Sequence, residues 1–90
     1  MSPRDVADAV IRLLEGMEDH QRTRMLAAAR SLLPRLTEDD LKNPDDYPAL
    51  HADPRFNYED GVLAGVRMSA AAVRALLVKL APPDPPSRGD

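Results

Sequence analysis

The sequence predicts an all-α fold: a small helical bundle made of a helical hairpin, an extended acidic loop with short turns, and a long C-terminal helix. Two observations carry that prediction. Apolar residues recur at helical spacing over residues 6–36 and again over 58–80. The only aromatic residues are Tyr47, Phe56 and Tyr58, so the core must come from Leu, Val, Ile, Met and Ala, a mixture that suits close helix packing better than a sheet. Ninety residues make one domain, expected at 1–81, with a Pro-rich disordered tail over 82–90. A chain of this size buries only about 60–65% of its unfolded surface, so association is a natural supplement to its stability.

The first helix starts at Ser2-Pro3-Arg4-Asp5: serine caps, proline fits the first helical position, and the acid stands three residues past the cap. Val6, Val10, Leu13, Leu14 and Met17 then form one apolar stripe, and Met25, Leu26, Ala29, Leu32, Leu33 and Leu36 form a second. At 100° per residue the two stripes are out of phase by roughly 110°. Gly16 and the candidate cap Asp19 lie at the phase change. This predicts two helices, about 3–15 and 20–33, paired as a hairpin or sharply bent, with Pro34 ending the second.

From Thr37 to Asn57 the chain reads as consecutive short turns. Thr37-Glu38-Asp39-Asp40 is a cap signature for a single turn ending near Lys42. Asn43-Pro44, Tyr47-Pro48 and Asp53-Pro54 each bias the residue before proline away from helix. The segment also holds Leu41, Tyr47, Leu50 and Phe56, which predicts a loop lying on the core rather than extending into solvent.

The last helix is expected over residues 58–80, capped by Asn57 with Glu59 and Asp60 in its first turn. Val62, Val66, Ser69, Val73, Leu76 and Leu80 repeat at alternating spacings of four and three, as in a helix-packing seam, and Leu63, Ala70 and Leu77 widen that face. The opposite side carries Gly61, Ala64, Gly65, Met68, Ala71, Ala72 and Ala75. A helix apolar all round is central in its domain or shared with a partner. Each mid-helix glycine costs about 1 kcal/mol relative to alanine, which implies a packing reason. These seven residues are therefore the expected partner interface, and Tyr47, Leu50, Phe56 and Tyr58, in their acidic setting, are secondary docking candidates. Arg67, Arg74 and Lys79 interrupt the apolar run and argue against a membrane span.

Net charge is −3 and unevenly placed. Residues 36–60 hold two cations and eight anions, or −6, whereas residues 61–90 hold four cations and two anions, or +2. An acidic chain is a poor default for nucleic-acid binding. Arg22, Arg24, Arg30 and Arg35 also scatter around the helix instead of forming one stripe. Ten arginines against two lysines fit a GC-rich bacterial genome, and the start of the chain lacks signal-peptide features, so a cytoplasmic location is expected.

No catalytic motif is present. The absence of cysteine removes thiolate metal sites and cysteine nucleophiles. His51 stands among Asp45, Asp46 and Asp53, and His20 follows Glu18 and Asp19, but neither has the spacing of a recognisable metal-ligand set. Asp5-x-x-Asp8 and Glu15-x-x-Glu18 faintly resemble the paired carboxylates of helical nucleotide pyrophosphohydrolases, which hold magnesium. No second pair occurs over 20–33, and the four acids are read as a solvated face. Pro82-Pro83-Asp84-Pro85-Pro86 and Arg88-Gly89-Asp90 are short patterns that a disordered tail explains. The expected function is a non-enzymatic protein–protein interaction module with no cofactor, bound to itself as a homodimer or to a larger partner as a subunit, adaptor or antitoxin-like regulator. The alternative is a helical-bundle metal-dependent enzyme or metal-binding protein using acids of the first helix and loop.

Overall fold

A computed structural model describes residues 1–82, so the Pro-rich tail expected over 82–90 lies outside the described residues from Pro83 onward. Two long helices, α1 (Pro3–Leu32) and α3 (Pro54–Leu80), run antiparallel and pack along their lengths. Between them come two 3-10 turns, Asp40–Lys42 and Pro44–Asp46, and the one-turn helix α2 (Pro48–His51). The radius of gyration is 17.8 Å, against about 12 Å for a compact domain of this length. The molecule is a rod-like hairpin rather than a ball.

The predicted start of α1 is present in full. Ser2 Oγ accepts from the Asp5 N–H at 3.1 Å, and Asp5 Oδ2 accepts from the Ser2 N–H at 3.1 Å. The predicted break at Gly16–Asp19 is absent: α1 runs unbroken through it. The physical reason is a seam hidden by small and polar residues. Ala7, Ile11, Leu14, Glu18, Gln21, Met25 and Ala28 repeat at alternating spacings of four and three without interruption, and each is buried or half-buried. The large residues Val6, Leu13 and Met17 sit one position off that seam, which creates the apparent phase change.

α3 begins four residues earlier than the sequence suggested. Asp53 caps it by accepting from the Phe56 N–H at 2.7 Å, with Pro54 at the first helical position, the same device as Ser2-Pro3. Asn57 instead lies within the first turn, and its side-chain amide donates to the His51 carbonyl at 2.9 Å. The seam of α3 is Phe56, Glu59, Leu63, Val66, Ala70, Val73 and Leu77, all buried or half-buried. The expected seam residues Ser69, Leu76 and Leu80 are exposed. The correction is a rotation of less than one residue step: Leu63, Ala70 and Leu77 face α1 directly, and Val62, Ser69 and Leu76 fall beside them.

The core lies at the loop end. Met25, Ala29, Leu36, Leu50, Phe56 and Leu63 form it, with Leu33, Leu41 and Tyr47 packed against it. The loop lies on the helices as the sequence predicted. Thr37 and Asp40 exchange reciprocal hydrogen bonds at 2.9 and 3.2 Å, opening the first 3-10 turn, and Arg30 Nε donates to the Leu36 carbonyl at 2.8 Å. Toward the termini, among the described residues, only Ala7, Ala70 and Ala81 are buried, so no large side chain described in that half of the hairpin is fully enclosed. Phe56→Ala should therefore cost about 3–4 kcal/mol in urea denaturation, whereas Val78→Ala, at an exposed site, should change stability by no more than about 0.5 kcal/mol.

Candidate interaction surface

One polar cluster interrupts the apolar seam. Gln21 of α1 faces Glu59 of α3, and both are buried. The Gln21 amide nitrogen donates to Glu59 Oε2 at 2.6 Å and to the Glu59 carbonyl at 3.0 Å. Arg24 adds bonds from Nη2 to Oε1 at 3.2 Å and from Nε to Oε2 at 3.4 Å. The hydrogen bonds from Arg24 and Gln21 hold the Glu59 carboxyl below its ordinary range, and Glu59 in turn raises the Arg24 guanidinium above its own. Among the described residues no buried side-chain polar atom lacks a partner. Sequence reasoning missed this cluster, although the signal was there: Gln21 stands seven residues after Leu14 and four before Met25.

The cluster also shows which sides of the two helices adjoin. Arg24 reaches Glu59 and lies near Tyr58. Counting back by sevens from Arg24 gives Met17 and Val10, and counting on from Tyr58 gives Gly65 and Ala72. These residues share one side of the hairpin, together with Val6, Leu13, Val62, Ser69 and Leu76. On the other side Arg67 Nε donates to Glu18 Oε1 at 3.0 Å, and Arg22, Asp60 and Arg67 line one depression with Asp39 and Lys42 of the loop. The same seven-residue step adds Asp8, Glu15 and Arg74 to that side.

The two sides differ sharply. From Val6 to Met17 and from Val62 to Leu76 the first side carries no charged residue, and it exposes Val6 (46%), Leu13 (64%), Met17 (47%) and Leu76 (54%). The second side carries the acids and arginines. The hairpin as a whole is therefore amphipathic, with one face apolar and one charged. Single exposed apolar residues are ordinary, whereas a continuous apolar face built by two helices is less so.

All seven residues of the expected Gly/Ala interface are exposed. They do not form a single face. Gly65 and Ala72 border the apolar side, Ala64 and Ala71 border the charged side, and Gly61, Met68 and Ala75 look away from α1. A Cβ added at Gly16, Gly61 or Gly65 meets nothing within 4 Å, so no close approach inside the chain explains these glycines. Of the secondary docking candidates, Leu50 and Phe56 are buried in the core and are corrected to structural residues, because the loop folds inward around them. Tyr47 is half-buried and, with Leu33, Pro34 and Leu36, lines an open apolar depression of about 460 Å³. Tyr58 is exposed at the rim of the apolar face.

The acids of the alternative reading stay apart. His51 Nε2 bonds Asp45 Oδ1 at 2.7 Å, and among the described residues no group of three or more His, Asp or Glu side chains comes together as a metal site would require. By length and composition α3 could cross a membrane, with a mean hydropathy of 1.6 over its most apolar 18-residue window. That helix also carries Arg67, paired with Glu18. Comparison with known proteins finds no matching family model, no matching curated protein and no matching solved structure.

The lowered Glu59 carboxyl makes a pH prediction. In the unfolded chain Glu59 titrates near its ordinary value of about 4.3, and in the folded chain it titrates lower. Its contribution to stability is complete above the unfolded value and is lost as pH falls through the folded one. Urea midpoints at pH 7 and pH 3 should show a smaller acid-induced loss in Glu59→Gln than in the native protein. Asp40, also held low by Thr37, contributes the same background to both.

Proposed function

We propose that the protein is a non-enzymatic protein–protein interaction module working in water, in the cytoplasm, and that it binds through the apolar side of the α1/α3 hairpin. The observation that carries this reading is the segregation of charge. Every charged residue of α1 between Asp5 and Arg22, apart from Glu18 in the seam, falls on the opposite side, while Val6, Leu13, Met17 and Leu76 stay exposed on this one. Such a face carries a continuing cost in water that burial against another protein relieves, at about 25 cal/mol per Å² of apolar area.

Helical interaction modules bind in this way, with an apolar stripe at helical spacing laid against a complementary helical surface. The small residues beside the stripe, Gly65, Ser69 and Ala72, allow a partner's backbone to come close. The charged side keeps the module soluble and supplies the Glu18–Arg67 pair that braces it. Arg67 and Arg74 in mid-helix, each costly in lipid, favour this reading over a membrane span.

A capture experiment tests it. Differently tagged copies of the chain and a lysate of the source cell are offered to immobilised native protein and to Leu13→Glu. Leu13 is exposed in the hairpin, so the substitution leaves the fold intact, which circular dichroism checks. The native protein should retain a partner that Leu13→Glu releases. Equal capture by both, or capture by neither, would contradict the reading.

A further inference from the structure

The hairpin divides into two unlike halves at the level of two glycines. Gln21 faces Glu59. Gly16, five residues before the one, and Gly65, six after the other, therefore lie at the same level of the antiparallel pair to within about 1.5 Å. On the loop side of that level are the core around Leu50, Phe56 and Leu63 and the bonds from Gln21 to Glu59. On the terminal side, among the described residues, only Ala7, Ala70 and Ala81 are buried. The ion pair that crosses the level, Arg67 Nε to Glu18 Oε1 at 3.0 Å, is partly exposed, and such pairs contribute little to stability.

The terminal segments are marginal as separate helices. They cover residues 3–15 of α1 and 66–80 of α3, and an isolated helix shorter than roughly 12–15 residues is marginal in water. Each stays helical by leaning on the other, so their parting and their unfolding are one event. The glycines mark where that event stops. In the closed hairpin each sits inside a helix, at about a fivefold disadvantage relative to alanine, and a Cβ on either would meet nothing within 4 Å. With the terminal segments unfolded, the same two residues become helix ends. Gly65 then stands just past the last helical residue of a shortened α3, where glycine is the favoured residue. Gly16 stands at the N-cap of a shortened α1, a position that suits glycine far better than alanine. Glu18 and Asp19 then fall in the first turn, where the helix dipole favours acids.

We propose that residues 3–15 and 66–80 open and close together as one local unit, bounded by Gly16 and Gly65, while residues 17–64 stay folded. Val6, Val10, Leu13 and Leu76 of the apolar side belong to the unit that opens, so that side is complete only while the unit is closed. A partner docked on it would hold the unit shut. The opening itself does not depend on the interaction reading.

Native-state hydrogen exchange of the whole chain tests the proposal, read amide by amide under conditions where exchange follows the opening equilibrium. Amides of residues 7–15 and 70–77 should share one protection level, roughly tenfold or more below that of residues 25–32 and 58–63. Gly16→Ala combined with Gly65→Ala should slow exchange of the terminal amides about 25-fold, at about fivefold per site. Leu50→Val, in the loop core, should speed exchange at residues 25–32 and 58–63 and leave the terminal amides at their native rate. A single protection level across both halves overturns the proposal, as does a Leu50→Val that speeds both sets alike. Protection that falls smoothly toward the helix ends, with no step at Gly16 and Gly65, is simple end fraying and overturns it too. Should Leu50→Val fail to fold by circular dichroism, the native profile and the double alanine variant decide.

Discussion

The buried contact between Gln21 and Glu59 sets everything that the surface presents. A carboxylate within an apolar helix seam is tolerated only where its oxygens find donors, and here Gln21 and Arg24 provide them. Sliding α3 along α1 by one heptad would bring Glu59 opposite Leu14 or Ala28, neither of which can donate. An unpaired buried charge costs several kcal/mol, so the pair selects a single register among the several that a repetitive Ala/Leu/Val seam would otherwise allow. Buried polar groups serve the same purpose in coiled coils, specifying register at some expense in stability.

That register gathers the apolar residues of two helices on one side. Val6, Val10, Leu13 and Met17 come from α1, and Val62 and Leu76 from α3. Neither group alone would stand out on a small protein. Brought together, they make a hairpin that is amphipathic as a unit, with Glu18 and Arg67 paired on the far side. The two ends differ as well. The loop end is closed by Leu36, Leu50 and Phe56, whereas at the terminal end the buried residues are Ala7 and Ala70, with Ile11, Val73 and Leu77 half-buried beside them. Stability is thus concentrated near the loop, and the half with the least core is the half with the most exposed apolar surface.

Much of the fold was legible in the sequence because it is written in local chemistry. The Ser2-Pro3 start, the stop before Pro34, the Thr37–Asp40 turn and the inward-folded loop all follow from residues within a few positions of one another. The rest depended on partners distant in sequence. Reading hydrophobicity by side-chain size picked Val6, Leu13 and Met17 as core and concealed Ala7, Glu18 and Gln21, because alanine marks a helix contact without looking apolar enough. The unbroken α1 follows from that concealed seam. The early start of α3 was missed because Asn57 is as good a cap as Asp53 in isolation, and only the proline at position 54 separates them. The Gly/Ala residues of α3 lie off the seam and exposed, and Leu50 and Phe56, legible both as secondary docking candidates and as residues that lay the loop on the core, are buried there.

The central claim is that a face exposed on one hairpin is covered in the working molecule, and the methyl groups of that face report on it directly. Methyl NMR with a soluble paramagnetic agent measures their access to solvent. The account predicts that with its captured partner bound the Val6, Leu13 and Leu76 methyls are protected, while the Met68 methyl, 72% exposed on the outer surface, is strongly relaxed. Equal relaxation of all four in that complex would contradict it.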